Sequence, residues 1–217
     1  MDYFTSDMHF GHDNIIKHCG RPFGSSDEMN DEIIKRWNQT VTQDDTVYVV
    51  GDVFLCGSKK GGALVRQLSG KKILIKGNHD ASVSKMLSSG FDEVYYALDY
   101  QLPDNRRAFI CHYPMPHDLV ASYDLQIHGH IHTGRPISGK RVNVCVDMWD
   151  FTPVSVEKIS QLPLDDSLSL LDRWCKLDVD EDRVVTIDAR LDLDNLSGLV
   201  SRIYQLIDSQ NQDKEKE

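Results

Sequence analysis

A short apolar run that stops at a glycine and continues into polar residues constrains the fold more than any other stretch. Ile73-Leu74-Ile75 predicts a buried strand, and Gly77-Asn78-His79-Asp80 follows it closely. Ligands of α/β proteins collect at the carboxyl ends of the strands. Asn78 and His79 are therefore candidate functional residues, and their partners should come from the ends of neighbouring strands.

A second strand of the same kind precedes this one. Residues 46–50 form a continuous apolar run, which predicts a central parallel strand covered on both faces. The run ends at Gly51-Asp52, where glycine lets the backbone turn sharply. A short helix near residues 63–68 would complete a strand-helix-strand unit. Asp52 and Asn78 should then lie at the same edge of one sheet.

The chain begins with a third predicted strand, residues 2–6, which leads into Asp7-Met8-His9. Because strand side chains alternate between faces, Asp7 and His9 should point the same way. A carboxylate and an imidazole that converge at a strand end can form a metal-ligand pair. Considered alone, such a pair is more often a solvated acid beside a surface histidine.

The second half of the chain places more histidines at strand ends. Residues 93–102 and 106–111 predict a hairpin, and residues 125–127 predict a further strand. Residues 142–147 alternate between apolar and polar side chains, as a strand with one apolar face does. The histidines that follow these strands are His112, His128, His130 and His132.

Two helices are predicted between the first and second strands. A short one should lie around Ile15-Ile16. The second should begin after Ser25, because Ser25 and Glu28 have the spacing of a capping box. Its apolar residues recur at helical spacing and should face the core: Met29, Ile33, Ile34 and Trp37.

Composition excludes several classes of protein. The 217 residues have a net charge of −10, which disfavours a surface that grips extended nucleic acid. The five cysteines are scattered and odd in number, as expected for reduced thiols in a cytoplasmic protein. No apolar run approaches the roughly 20 residues of a membrane span, and the N-terminus has no secretory signal pattern.

The acidity is concentrated in the last quarter of the chain. Residues 161–217 contain 14 acidic and 7 basic residues, and no histidine. Their pattern predicts a helix at 168–175, a strand at 184–191 and an amphipathic helix at 196–207. We expect this acidic extension to pack on the core or to mediate interactions rather than to carry chemistry.

The polar blocks at the strand ends resemble, as an ordered set, the signature of the calcineurin-like metallophosphoesterases. That signature is Asp-x-His, Gly-Asp, Gly-Asn-His-Asp/Glu, a lone His, and Gly-His-x-His. Residues 7–16, with Arg21-Pro22-Phe23, are similar to a small bacterial and phage phosphoesterase subgroup. The resemblance covers about residues 1–160 and not the acidic extension. It implies a four-layer α/β/β/α sandwich over 1–160, and the sequence pattern of 161–217 predicts an α+β extension after it.

The resemblance also implies a site for two divalent metal ions. Manganese is expected, with iron, zinc or nickel as alternatives, because imidazole donors suit these ions better than magnesium. One ion would be held by Asp7, His9, Asp52 and His132. The other would be held by Asp52, Asn78, His112 and His130. A metal-bound hydroxide would then attack phosphorus, and His79 would protonate the leaving oxygen. His128 is interpreted as a residue that contacts the ligands without binding a metal ion itself.

One departure from the family pattern affects the substrate. Many relatives extend Gly-Asp to Gly-Asp-x-x-Asp-Arg, whereas this chain continues Gly51-Asp52-Val53-Phe54-Leu55. The arginine that holds substrate phosphate and the acid that orients the catalytic histidine are therefore missing. We expect His12, Asn14 and Arg21 to bind the substrate instead, and the orienting partner of His79 is not identified.

The resemblance implies a metal-dependent hydrolase of phosphoric esters. The expected partner is a small phosphorylated substrate, a phosphodiester or phosphomonoester and potentially nucleotide-like, with no membrane partner. The oligomeric state is left open. Two alternatives remain: a metal-dependent nuclease of the same superfamily, and a scaffold that keeps the fold without catalysis.

Overall fold

Two five-stranded sheets form the frame of the protein, as seen in a computed structural model that describes residues 1–115 and 120–164. In the first sheet the order is β10-β1-β2-β3-β4, and β1 to β4 are parallel. The short last strand pairs antiparallel with β1. The strands are β1 (Asp2–Thr5), β2 (Thr46–Val49), β3 (Lys71–Ile75), β4 (Glu93–Tyr95) and β10 (Val154–Ser155).

The second sheet has the order β5-β6-β7-β9-β8. Its three inner strands β6, β7 and β9 are parallel, and β5 and β8 pair antiparallel at the two edges. The strands are β5 (Ala97–Gln101), β6 (Arg107–Cys111), β7 (Leu125–His128), β8 (Ile137–Ser138) and β9 (Arg141–Asn143).

Five helices connect the strands within the described residues. The longest, α2, begins where the capping pattern predicts, and the Ser25 side chain accepts a hydrogen bond from the Glu28 backbone N–H at 3.2 Å. A short 3₁₀ helix, Val146–Met148, follows β9. The α-helices are α1 (Asp13–Cys19), α2 (Ser26–Thr40), α3 (Ser58–Val65), α4 (Val83–Ser88) and α5 (Val156–Ser160).

The main core lies between the two sheets. Phe4 and Ile75 of the first sheet are in one buried apolar cluster with Ile110, Ile127 and Val142 of the second. The facing surfaces of the two sheets therefore shield each other from water. Packing of this kind restricts the angle between the strands of the two sheets.

The outer face of the first sheet packs against helices. Ile33 and Trp37 of α2 contact a cluster that contains Val47, Val49 and Leu74. Since neighbouring positions of β2 face the second sheet, β2 is covered on both faces as the sequence predicts.

The sequence prediction was wrong for two strands. Residues 93–102 do not form one strand, because the chain leaves the first sheet after β4 and enters the second sheet as β5. Residues 142–147 do not continue as a strand, because β9 ends at Asn143 and Asp147 lies in the 3₁₀ helix. A local sequence pattern shows neither where a chain passes from one sheet to another nor where the ladder of a strand ends.

The predicted fold class is confirmed as a mixed α/β sandwich of two sheets with helices outside the first. In the described residues, the outer face of the second sheet is covered by apolar side chains that follow β6, including Met115, Val120 and Tyr123. The helices and strand predicted between 168 and 207 lie outside the described residues. Within the described ranges, no helix has the length and apolar character that a membrane crossing requires.

Trp37 tests the packing between α2 and the first sheet. Its side chain is 1% exposed, and its indole N–H donates to the Ser69 carbonyl at 3.0 Å. Trp37→Ala should lower the free energy of unfolding by about 3–5 kcal/mol, because it leaves a large cavity. Trp37→Phe should cost clearly less. Urea unfolding followed by circular dichroism measures both, and a loss below about 1 kcal/mol for the alanine variant would contradict this packing.

Candidate metal centre

The carboxyl ends of both sets of parallel strands meet at one edge of the sandwich. Beyond β1 and β9 the backbone forms an isolated bridge between Ser6 and Cys145, and the Val146 N–H donates to the Ser6 carbonyl at 3.1 Å. This bridge joins the two sheets next to the edge at which the strands end. Polar residues that follow strands of different sheets are thereby brought into one cluster.

Two groups of potential metal ligands lie in this cluster: Asp7, His9 and His132 form the first, and Asp52, His112 and His130 form the second. A third group in the described residues, Cys19, His132 and Asp147, shares His132 with the first. Within each group the potential ligand atoms lie within 4.8 Å of one another. The first two groups correspond to the two sets that the sequence resemblance implies, apart from Asn78 and the shared role of Asp52.

Asp52 belongs to the second group and is also close to the first. Its Oδ2 is 3.7 Å from His9 Nε2 and 3.5 Å from His112 Nε2. Asn78 joins the second group, because its Oδ1 is 3.0 Å from His112 Nε2. The structure thus brings together all seven residues that were predicted as ligands, and Asp52 has the position of a carboxylate shared by two ions.

Four of these residues have left-handed backbone conformations, which are uncommon for residues other than glycine. Their φ angles are 57° for Asp7, 50° for His9, 55° for Asp52 and 67° for His130. Such conformations cost about 1–3 kcal/mol each and cluster at functional sites. The strand ends turn abruptly here, and each turn aims a donor group into the cluster.

Two glycines allow the close approach of these turns. A Cβ atom at Gly77 would overlap the carboxylate of Asp52, and one at Gly129 would overlap Ser6 and the carboxylate of Asp7. Any larger residue at either position would push an acid out of place.

Asp80 joins the ends of β2 and β3. Its Oδ2 accepts from the backbone N–H groups of Asp52 at 2.9 Å and Gly77 at 2.8 Å, and its Oδ1 accepts from Val53 at 2.9 Å. Asp80 therefore braces the loop through both of its carboxylate oxygens.

The pKa values of the two buried acids shift in opposite directions. Burial and the nearby charge of Asp52 raise the pKa of Asp7. Burial acts in the same direction on Asp52, but the hydrogen bond and charge of His112 outweigh it and hold the pKa of Asp52 below its usual range. Two carboxylates in one buried cluster disfavour each other's ionised form unless cations are present.

The pKa values of the histidines in the cluster also shift in opposite directions. Burial lowers the pKa of His9 to about 3, and burial with the charge of His112 lowers the pKa of His130 to about 4. For His112, burial is outweighed by Asp52, and its pKa is raised to about 9. In that state a proton on His112 balances Asp52, and a bound cation would take the place of this proton.

The residues present fit a metal ion. Both ring nitrogens of His9 are buried and have no hydrogen-bond partner among the described residues, which is costly for a polar group. The Nδ1 atom of His112 lies 2.8 Å from the Val50 carbonyl, which can only accept a hydrogen bond. This contact makes Nδ1 the donor and directs Nε2 to the cluster. Neutral imidazoles and carboxylates together are suitable ligands for manganese, iron, nickel or zinc.

His79 and His12 lie at the mouth of the cluster. The His79 side chain is 46% exposed, its Nε2 is 4.0 Å from Asp52 Oδ2, and its ring centroid is 5.5 Å from that of His9. The His12 ring is 5.6 Å from the His9 ring, and its buried Nδ1 has no partner in the described part of the chain. Asn14 is exposed in the first turn of α1.

Arg21 is in a different environment from the one predicted. Its side chain is fully buried, so it does not offer the substrate contact that we expected from its position in the sequence. Its guanidinium donates to both carboxylate oxygens of Asp147 at 2.8 Å, and to the carbonyls of Asp7 at 2.7 Å and Met8 at 3.0 Å. Arg21 therefore stabilises the backbone at Asp7 and Met8, beside the cluster.

Sequence reasoning missed Ser6 and Asp147. Ser6 Oγ donates to Asp7 Oδ2 at 2.5 Å, and Asp147 Oδ2 lies 2.8 Å from His132 Nδ1. The alternating pattern around 142–147 marked Asp147 as polar but could not show its partner. His128 is buried, with its Nδ1 2.8 Å from the Gly129 carbonyl, and it belongs to neither ligand group.

Comparisons with known proteins identify relatives of this two-sheet α/β protein. It is 36% identical over 174 residues to the uncharacterized protein MJ1445 of Methanocaldococcus jannaschii, covering 74% of this chain and 89% of that protein. It is 28% identical over 181 residues to the Gene 66 protein of Mycobacterium phage L5, covering 68% and 86%. No family model matches the chain.

A solved structure supports the fold. The protein of unknown function AQ665 from Aquifex aeolicus is similar with a TM-score of 0.62 and 28% identity, over 74% of this chain and 98% of that chain. The fold and the cluster define an α/β sandwich with two groups of potential metal ligands. The chain belongs to the same family as MJ1445.

Gly77 tests the geometry of the cluster. Gly77→Ala should place a Cβ atom on the Asp52 carboxylate, and overpacking of this kind costs about 1–3 kcal/mol. Part of that cost should appear as weaker metal binding. Gly24→Ala is the control, since its Cβ would meet only Glu28 Oε2 at 3.1 Å. After manganese loading and desalting, metal per chain should fall in Gly77→Ala alone, and equal metal content would contradict the geometry.

Proposed function

We propose that the protein is a dinuclear-metal phosphoesterase, similar to the calcineurin-like metallophosphoesterases, that hydrolyses a small phosphodiester or phosphomonoester. The proposal is carried by one observation. Two groups of potential ligands, each with a carboxylate and two imidazoles, meet at Asp52, a member of the second group whose Oδ2 is also 3.7 Å from His9 Nε2 of the first. The order of these residues in the chain is the order of the family signature.

The proposed metals follow from the donor set. Asp7, His9, His132 and Asp52 would hold one ion. The second would be held by Asp52 with Asn78, His112 and His130. When bound, a pair of divalent ions activates water as a nucleophile and stabilises the charge of the phosphoryl oxygens.

The chain's own residues would complete the reaction at the mouth of the site. His79 is the exposed imidazole next to Asn78, and its backbone N–H donates to Asp52 Oδ1 at 2.9 Å. Its side chain is 46% exposed and can therefore face a substrate, and its Nε2 is 4.0 Å from the Asp52 carboxylate. We propose that His79 donates the proton that the leaving oxygen requires. This role needs an imidazole within reach of the reacting group.

The substrate is proposed to be small. The His12 side chain is partly exposed and its ring lies 5.6 Å from that of His9, so its imidazole could bond a phosphoryl oxygen at the mouth of the site. Asn14, in the first turn of the helix that follows His12, is the second proposed contact. The acidic balance of the chain disfavours a long nucleic acid, whose binding depends on many basic contacts.

Removal of the His79 imidazole should slow turnover without loss of the metals. His79→Ala is expected to lower kcat by roughly 10²–10⁴-fold, the usual contribution of general acid-base catalysis. Metal content should remain that of the unaltered protein. His18→Ala, which changes an exposed histidine of α1, is the control. Normal turnover in His79→Ala would show that another group protonates the leaving oxygen.

His12 should affect substrate binding. His12→Ala removes a potential hydrogen bond to a charged oxygen, a contact worth about 1.5–3 kcal/mol. kcat/KM for the best substrate should therefore fall by at least about tenfold, while metal content stays constant. His18→Ala again provides the comparison within the same helix. If both variants match the unaltered protein in kcat and KM, His12 does not contact the substrate.

The class of substrate can be determined with the manganese-loaded protein. Phosphomonoesters, linear diesters and cyclic nucleotides should be compared with a labelled single-stranded oligonucleotide. Hydrolysis of a small ester with no cleavage of the oligonucleotide is the expected result. Cleavage of the oligonucleotide would favour the nuclease, and no hydrolysis with less than about one ion per chain would favour a non-catalytic scaffold.

A further inference from the structure

One ion pair connects ligand segments from the two sheets. Arg21 and Asp147 are 126 positions apart, and they meet through two parallel hydrogen bonds of 2.8 Å each. A bidentate pair of this kind has a defined geometry as well as strength. The Arg21 side chain is 0% exposed and that of Asp147 is 9% exposed, so solvent screens the pair very little.

On one side, the pair holds the segment after β1. The Arg21 guanidinium also donates to the carbonyls of Asp7 and Met8, at 2.7 Å and 3.0 Å. These carbonyls belong to the turn in which Asp7 and His9 have positive φ angles. The cation thus stabilises a backbone conformation that L-residues rarely adopt.

On the other side, the pair holds the segment after β7. Asp147 Oδ2, which bonds to Arg21, is also 2.8 Å from Nδ1 of His132. With its oxygens held by the Arg21 guanidinium, the Asp147 carboxylate accepts a hydrogen bond from the Nδ1–H of His132, which leaves the lone pair of the ring on Nε2. Nε2 lies 3.6 Å from Asp7 Oδ1, within the first ligand group.

We propose that Arg21 and Asp147 are positioning residues that fix the tautomer of His132 and align His132 with Asp7 and His9 for the first metal ion. The inference rests on the proposed function only in its use of that metal. The orientation of His132 in the protein without metal is a property of the contacts alone. Carboxylates that orient a metal-binding histidine commonly affect metal affinity by 10–100-fold.

Asp147→Asn is the sharpest test, because it changes the charge and not the size of the side chain. The amide NH₂ would replace either Oδ1, which accepts from Arg21 Nε, or Oδ2, which accepts from Arg21 Nη2 and faces His132 Nδ1, so at least one contact has to be lost. In the metal-free protein, ¹⁵N chemical shifts of His132 should move from the Nδ1–H form toward a mixture with Nε2–H. In manganese titrations followed by calorimetry, one of two dissociation constants should rise by about 10–100-fold.

Asp150→Asn is the matched control. Asp150 is three residues further along, its side chain is 87% exposed, and it pairs with Arg36 at 2.6 Å without contact to a predicted ligand. This variant should keep the His132 tautomer and both dissociation constants. Arg21→Lys provides a second variant, since lysine keeps the charge but cannot form the fork to Asp147. It should weaken the same metal site.

The outcomes separate this inference from the proposed function. An unchanged tautomer and unchanged dissociation constants in Asp147→Asn would overturn the positioning role. Equal weakening of both metal sites, in parallel with the loss of thermal stability, would overturn it as well, because it would show a general structural effect. If the unaltered protein hydrolyses no phosphate ester, the proposed function fails, while a tautomer shift in Asp147→Asn with selective weakening of one site would still support the inference.

Discussion

The burial of Asp7 and Asp52 in one cluster is the constraint on which the rest of the structure depends. Two carboxylates so close to each other require compensating positive charge or proton donors. The protein supplies part of this compensation through His112, whose pKa is raised to about 9 despite burial, since Asp52 lies beside it. The remaining compensation fits bound cations, because the His9 imidazole is neutral and its ring nitrogens have no partner in the described residues.

The scaffold around this cluster holds turns that would be unfavourable elsewhere. Asp80 fixes the ends of β2 and β3 through three backbone N–H groups, and Arg21 fixes the turn after β1 through two carbonyls. Both groups are buried, and both satisfy backbone atoms that the turns leave without strand partners. The strained ligands and their braces form one unit, in which glycines at 77 and 129 provide the necessary space.

Sequence reasoning was most reliable where a motif is local. Short runs that lead into polar residues predicted the parallel strands β1, β2 and β3, and the structure gathers all seven predicted ligands. It was least reliable where the partner is distant. Arg21 was interpreted as a substrate contact because it follows the first ligand block, yet it bonds to a carboxylate 126 positions away. Residues 93–102 were interpreted as one strand, because an alternating pattern contains no information about the sheet it joins.

The sequence by itself determined the α/β class, the position of each polar block at a strand end, and the identity of the donor groups, since these depend on side-chain type and short-range periodicity. Only the tertiary structure decided that the ends of both sheets meet at one edge, and that Asp52 lies between histidines of both groups. It alone showed that Asp147 and Arg21 connect the ligand segments. These features depend on how the two apolar faces pack, and packing joins residues whose separation along the chain leaves no local pattern.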